Sequence, residues 1–385
     1  MRSKLKLPIL LTASFASLVI AGSSTPDFTN SYSESPTSWF NEVSESEYFD
    51  SNFTSSWQTN ETCDSGDALS VVTYNIWHNI AFVSDFGDEM EQSLGKVSKC
   101  ADIVMFQEAW DYDDMIQDGP KDDMAARGFN MITPNGYYCD DPNIGIENDC
   151  SGLLMFYKTS LTLVKQLGFE AFNDVNGFDV HKEKGLWGAI FAKNGQYYYV
   201  FDTHFTYGDA GHLEGSSASD NSRISNMAQS KNFMASVVNA NKASYPPALV
   251  IYGGDFNADF DSTNSNSNGQ KLLNASGSDA AFIQPYDIAQ AGATMGEFET
   301  SGFRSVWSGG QSQADTGPNA STSGYYDYDI FLIGDPAFFG GCSPTNVEYS
   351  GWAPAWNTLN SDQRKWPYYT HSDHYGRWMS VTAGC

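Results

Sequence analysis

The chain has 385 residues, 41% of them hydrophobic, and a formal charge of −27 from 47 acidic against 20 basic side chains. That is apolar content enough for one large core or two medium ones. A protein that grips a polyanion shows a basic stripe, because neutralising phosphates drives such binding; no such stripe runs through this sequence, which weighs against a nucleic-acid partner.

At the N-terminus Arg2, Lys4 and Lys6 precede an apolar run from Leu7 to Ile20, followed by small residues at Ala21-Gly22-Ser23-Ser24. This pattern predicts a secretory signal over 1–22, since the run is short of the roughly 20 apolar residues a membrane span needs. Residues 23–66 are rich in Ser, Thr, Asn and acids, which predicts a flexible leader or propeptide. From 67 to 385 strand-like and helix-like segments alternate without a linker, so one α/β domain is expected. Strands are predicted at 69–74, 102–106 and 152–157, with a helix over 84–99. Segments 185–192 and 197–202 read as a hairpin turned by Asn194-Gly195, a favoured two-residue turn. A helix over 221–241 leads into a buried strand at 248–252, and strands return at 329–333 and 375–381. Polar insertions at 140–149, 261–270 and 308–324 read as surface loops.

Six cysteines fit an oxidising compartment. Cys139 and Cys150 flank a polar segment and look like a local clasp. Cys63 with Cys100, and Cys342 with Cys385, would complete a set, although spacing alone does not settle connectivity. No pair has the close Cys-x-x-Cys spacing expected of zinc. Asn52, Asn60, Asn274 and Asn319 each begin an Asn-x-Ser/Thr glycosylation sequon.

Short polar motifs follow the apolar runs. In order they are Thr73-Tyr74-Asn75, Gln107-Glu108, Thr203-His204, Gly254-Asp255-Phe256-Asn257, Tyr328-Asp329 and Ser372-Asp373-His374. Ligands in layered α/β folds gather at strand ends, where side chains leave the sheet and converge. Asn, Glu, His and Asp in such a set can hold a hard divalent cation, grip a phosphate and activate water. Singly, each is as readily a helix cap, turn former or surface acid. Order and strand-end placement carry the inference.

Within Gly253-Gly254-Asp255-Phe256-Asn257 the two glycines permit a tight backbone path. Asp255 and Asn257 face the same side if the chain stays extended. His374, beside Asp373, is the candidate water-activating base, because histidine titrates near neutrality and a carboxylate can orient its ring. Asp329 is the candidate orienter.

These motifs together resemble the endonuclease/exonuclease/phosphatase superfamily, and within it the secreted sphingomyelinase C (neutral sphingomyelinase) family. Phe106-Gln107-Glu108-Ala109-Trp110-Asp111 is similar to that family's Leu-Gln-Glu-Val-Phe-Asp, and Lys184-Gly185 to its Lys-Gly pair. Tyr328-Asp329-Ile330 and Ser372-Asp373-His374-Tyr375 resemble its late motifs. The chain departs from the pattern at Thr206, where the family often has Gln, at Tyr328 in place of Leu, and at Gly376 in place of Pro.

The resemblance implies a DNase I-like four-layer α/β sandwich, with two central mixed β-sheets flanked by helices. It implies direct hydrolysis, with Glu108 and Asn75 holding Mg²⁺ (Mn²⁺ or Co²⁺ as alternatives) and His374 deprotonating a water. Asp255 would orient that water or His374, and Asn257 and His204 would stabilise the phosphoryl oxygens. Asp209 matches an acid that the family places near the substrate.

Aromatic residues make up 15% of the chain, with 10 Trp and 21 Tyr, a composition compatible with binding a quaternary choline group. Trp352, Trp356 and Trp366 suit a bilayer interface, or equally cover one end of the sandwich. The expectation is a secreted, monomeric phosphodiesterase that acts on sphingomyelin at a membrane surface. The alternatives are a secreted DNase I-like endonuclease and a phospholipase C acting on another choline phospholipid. An inositol-phosphate 5-phosphatase fits less well, because Tyr252 and Asp259 stand where that family's Trp-x-Gly-Asp-x-Asn-x-Arg has Trp and Arg.

Overall fold

Alternation of apolar and polar residues resolves into two six-stranded sheets in the computed structural model. It describes residues 66–78, 101–110, 120–134, 151–175, 179, 182–207, 217–258, 268–278, 281–283, 329–352 and 376–385. The first sheet runs β11 (Pro344–Trp352), β12 (Gly376–Ala383), β1 (Leu69–His78), β2 (Ile103–Ala109), β4 (Leu154–Lys158), β3 (Phe129–Ile132). The second runs β5 (Thr162–Ala171), β6 (Gly185–Lys193), β7 (Gln196–His204), β8 (Pro247–Asp255), β10 (Asp329–Gly334), β9 (Phe282–Ile283). Both sheets are mixed: β1 and β2 pair in parallel in one, β7 and β8 in the other. Four helices are described: α1 (Pro120–Ala126), α2 (Ser217–Asn241), α3 (Asn268–Ala275) and α4 (Pro336–Phe339).

The period of two along each strand sorts side chains between layers. Leu69 and Val71, Ile103 and Met105, Tyr198 and Val200, Leu249 and Ile251, and Phe331 and Ile333 form one cluster between the sheets. Tyr199, Phe201, Val250, Tyr252, Ile330 and Leu332 face the other way. They pack with Met227, Met234 and Val238 of α2 and Leu272 and Leu273 of α3. On the first sheet Tyr74, Phe106 and Phe156 are buried and meet edge to face, with centroids 6.3 and 5.9 Å apart. Each such side chain contributes about 1.5–3 kcal/mol on burial. The result is the expected α/β sandwich with its two sheets stacked face to face.

The predicted hairpin forms as β6 and β7. Asn194 (φ 51°) and Gly195 (φ 80°) are both left-handed, as a type I′ turn requires. The predicted loop over 261–270 is corrected at its end: α3 begins at Asn268, because Leu272 and Leu273 find an apolar surface that only the assembled sheet supplies. Strands β3, β5, β9 and β11 and helices α1 and α4 have no counterpart among the expected elements. In β5 the alternation is broken by register shifts between Leu163 and Lys165 and between Gln166 and Phe169.

A disulfide joins Cys342 to Cys385 as expected. Trp352 ends β11, where it pairs with Gly376 of β12. Cys63, Cys100, Cys139, Cys150, the helix over 84–99, the loops 140–149 and 308–324, the signal, and the leader up to residue 65 lie outside the described residues. Among the described residues no helix is long and apolar enough to cross a membrane.

Candidate active site

The inward faces of the central strands change character along their length. On β1 the series is Leu69, Val71, Thr73, Asn75; on β7 it is Tyr198, Val200, Asp202, His204; on β8 it is Leu249, Ile251, Gly253, Asp255. Apolar side chains give way to Thr73, Asp202 and Gly253 and then to Asn75, His204 and Asp255 at the C-terminal strand ends.

The middle layer ties the sheets together. Gln107 Nε2 donates to Thr73 Oγ1 at 3.0 Å and, across the sandwich, to Asp202 Oδ1 at 2.6 Å. Burial pushes the Asp202 carboxyl well above the usual carboxylate range. The hydrogen bonds from Gln107 and from the Thr203 backbone offset part of this, and nearby Asp329 adds to it. The balance shifts Asp202 toward the neutral acid relative to a free carboxyl.

Above this layer Asn75, Glu108, His204 and Asp255 converge. Asn75 Nδ2 donates to Glu108 Oε1 at 3.1 Å and to Asp255 Oδ2 at 2.9 Å. His204 Nε2 lies 3.6 Å from Glu108 Oε1 and 3.4 Å from Asp255 Oδ2. Register explains part of this, because His204 pairs with Asp255 across parallel β7 and β8. Strand alternation would send Glu108 to the outer face with Phe106, but Glu108 has φ 58°. That left-handed backbone turns the side chain back between the sheets, at a cost of about 1–3 kcal/mol. Gly254 has φ 140°, and a Cβ there would lie 2.1 Å from the Thr203 carbonyl oxygen, so only glycine lets β8 approach β7 at this point.

Lys184, 3% exposed, holds its ammonium against His204 Nε2 and 3.5 Å from Asp179 Oδ1. Beyond His204 the chain is pinned by α2: Asn226 Oδ1 accepts from the Thr206 N–H at 3.3 Å, and Arg223 Nη1 donates to the Thr206 carbonyl at 3.4 Å.

One expectation is corrected in detail. Asn257 does not continue an extended chain, because its φ is 47°. Its backbone N–H donates to Asp255 Oδ1 at 2.8 Å, and Nδ2 donates to the Phe205 carbonyl at 3.0 Å. The turn brings Asn257 to Asp255 through its backbone. Asp329 is wholly buried and pairs in register with Asp255 on β10 and β8. Asp209, Asp373, His374, Trp356 and Trp366 lie outside the described residues, as does the side chain of Trp352. Asp202 is not among the strand-end motifs. An acid at the inward position between Val200 and His204 was the available signal for Asp202.

The donor set fits a divalent cation. Ligand atoms of Glu108, His204 and Asp255 all lie within 4.8 Å of one another. Two carboxylates drawn to one amide nitrogen repel each other in a low-dielectric setting, and a cation between them offsets that repulsion. Asn75 carries an oxygen on the same amide group, so it offers an acceptor as well as a donor.

The model of the endonuclease/exonuclease/phosphatase family matches residues 72–358. Comparison with curated proteins gives no match. Among solved structures, sphingomyelinase C from Streptomyces griseocarneus is 19% identical with a TM-score of 0.54, over 81% of this chain and 99% of that one. Beta toxin from Staphylococcus aureus with bound magnesium ions is 15% identical with a TM-score of 0.53, over 82% and 99%. TDP2 from Caenorhabditis elegans is 15% identical with a TM-score of 0.50, over 83% and 75%. At these identities the likeness is one of fold. The family match spans most of the chain and contains Asn75, Glu108, His204 and Asp255, so this chain belongs to the endonuclease/exonuclease/phosphatase family.

Proposed function

We propose that this chain is a secreted, Mg²⁺-dependent phosphodiesterase that hydrolyses sphingomyelin to ceramide and phosphocholine at a membrane surface, acting as a monomer. The observation that carries the chemistry is the convergence of Glu108, His204 and Asp255, with ligand atoms within 4.8 Å, at the strand ends. Glu108 and Asn75 would hold Mg²⁺, which when bound supplies positive charge to the phosphate oxygens.

In the reaction His374 takes a proton from water, whose oxygen forms the new bond to phosphorus. The phosphorus–oxygen bond to ceramide breaks, and the leaving oxygen takes up one proton for the one that His374 accepts, so the proton count is unchanged. Asp255 orients the water or His374, while Asp329 and Asp373 hold the His374 ring. His204 and Asn257 stabilise the phosphoryl oxygens, and the Lys184 ammonium beside His204 adds a fixed positive charge there. On this reading Asp209 would contact the substrate, and Trp352, Trp356 and Trp366 would meet the bilayer. The cysteine content and the N-terminal signal pattern support secretion. The net charge of −27 supports a lipid over a nucleic-acid substrate.

The test is a side-by-side assay on sphingomyelin, phosphatidylcholine, lysophosphatidylcholine and plasmid DNA, each with Mg²⁺ or EDTA. Mg²⁺-dependent phosphocholine release from sphingomyelin is expected. Release from the glycerolipids alone would reassign the enzyme as a phospholipase C, and DNA cleavage without phosphocholine release would make it a nuclease.

A further inference from the structure

Glu108 is held from two sides. Its inner oxygen, Oε1, faces Asn75 and His204. Its outer oxygen, Oε2, accepts a hydrogen bond from the indole Nε1 of Trp110 at 3.2 Å. Trp110 follows Glu108 by two residues and is 6% exposed, against 18% for Glu108, so this bond is partly buried.

The indole is itself fixed. It packs over Gly152, where any Cβ would come within 2.6 Å of the six-membered ring. The Ala109 N–H donates to the Gly152 carbonyl at 3.0 Å, which clamps the backbone beneath the ring. The His204 ring lies 6.0 Å away, centroid to centroid. Lys182 and Lys184 place their ammonium groups 4.5 and 5.9 Å from the indole. Cations over an aromatic face are attracted to its π-electrons. By drawing electron density from the ring, they also polarise the N–H and strengthen its donation to a carboxylate.

We propose that Trp110 is a positioning residue for the cation site: its indole N–H sets the rotation of the Glu108 carboxylate, so that Oε1 points at the shared centre. This rests on the reading that Glu108 holds Mg²⁺. The backbone of Glu108 is left-handed, so alternation along the strand does not aim this side chain, and the indole supplies the missing constraint. Phenylalanine, with a ring and no donor, would fill the space without performing this task.

The test uses the full-length protein and Mg²⁺ alone, read by calorimetric titration and by the Mg²⁺-induced rise in melting temperature over each variant's own metal-free value. Trp110→Phe keeps the ring and removes the N–H. Trp110→His restores a donor, since imidazole Nε2 occupies the ring vertex of indole Nε1. Trp110→Phe is expected to weaken Mg²⁺ about tenfold, the scale of a lost partner to a metal ligand, and Trp110→His to recover most of that loss. Wild-type affinity in Trp110→Phe would overturn the inference, as would equal weakening in both variants, which would make ring volume the cause. Should Trp110→Phe fail to fold, Trp110→His alone decides: near-wild-type affinity supports the donor role, and a tenfold loss refutes it. If the wild-type protein binds no Mg²⁺, the cation reading fails and this inference falls with it.

Discussion

His204 and Asp255 end adjacent parallel strands in register, which brings His204 Nε2 to 3.4 Å from Asp255 Oδ2 with both side chains 1% exposed. Asp255 also accepts from Asn75 in the opposite sheet and from the backbone of Asn257. A single carboxylate thus joins both sheets and the loop that leaves β8. Groups crowded this way serve chemistry better than stability, because a buried charge is costly unless it is paired.

Asp255→Asn separates those two roles. The amide keeps the shape and some of the hydrogen bonds but removes the charge. Turnover on the preferred phosphodiester should fall about 10²–10³-fold, the scale of losing one preorganised electrostatic contact. The melting temperature of the metal-free protein should hold or rise. A collapse of folding in parallel with activity would assign Asp255 to structure instead.

Asp202 gives a contrast between two substitutions. Burial shifts its carboxyl toward the neutral acid, and asparagine mimics a neutral acid with one acceptor and one donor. Asp202→Asn should therefore leave stability at neutral pH unchanged or improved. Asp202→Ala leaves the buried Gln107 amide without its partner across the sheets and should cost about 1–3 kcal/mol. Denaturant melts of the two variants make the comparison, and an equal loss in both would contradict a neutral Asp202.

Alkaline pH should act through the buried phenols, Tyr198 and Tyr199 among them. Burial raises both Tyr198 and Tyr199 from 10.0 to about 12, with the Asp67 and Asp102 charges adding for Tyr198 and Tyr245 adding for Tyr199. The folded pKa is higher than the unfolded one, so the native state binds more protons between these values. Stability is then lost as pH rises from about 10 to about 12. Replacing either residue with phenylalanine should flatten that loss in denaturant titrations run across the window. A variant whose pH dependence matches wild type would sink the assignment for that phenol.

The Cys342–Cys385 bridge spans a sequence separation of 43 residues. It fastens the entry to β11 against the C-terminal residue just past β12. Loop-closure entropy for a segment of this length gives about 4 kcal/mol of stabilisation. Replacing both cysteines with serine should lower stability on that scale in denaturant titrations. A loss of under about 1 kcal/mol would mean that the paired β11 and β12 hold this end together unaided.

Much of the fold was legible from local pattern. The strands from β1 to β12 that were foreseen have strong alternation or a continuous apolar run, and Asn194-Gly195 specifies its turn through a backbone preference that needs no tertiary help. The ends of those strands also marked Asn75, Glu108, His204 and Asp255 as a set. Elements that escaped notice lack such signals: β5 carries register shifts that break its period, and α3 hides in a polar stretch until the sheet gives its leucines a surface.

By itself, then, the sequence determined which residues alternate, where strands stop and which polar groups stand at those stops, because these follow from short-range backbone chemistry. Only the tertiary structure decided which of the two faces looks inward and how the ends meet. The left-handed turn at Glu108, the pairing of Gln107 with Asp202 and the closure of Trp110 over Glu108 join residues that local pattern does not aim at one another. Stacking the sheets supplies that aim, since burying both inner faces allows only the arrangement in which these polar groups find partners.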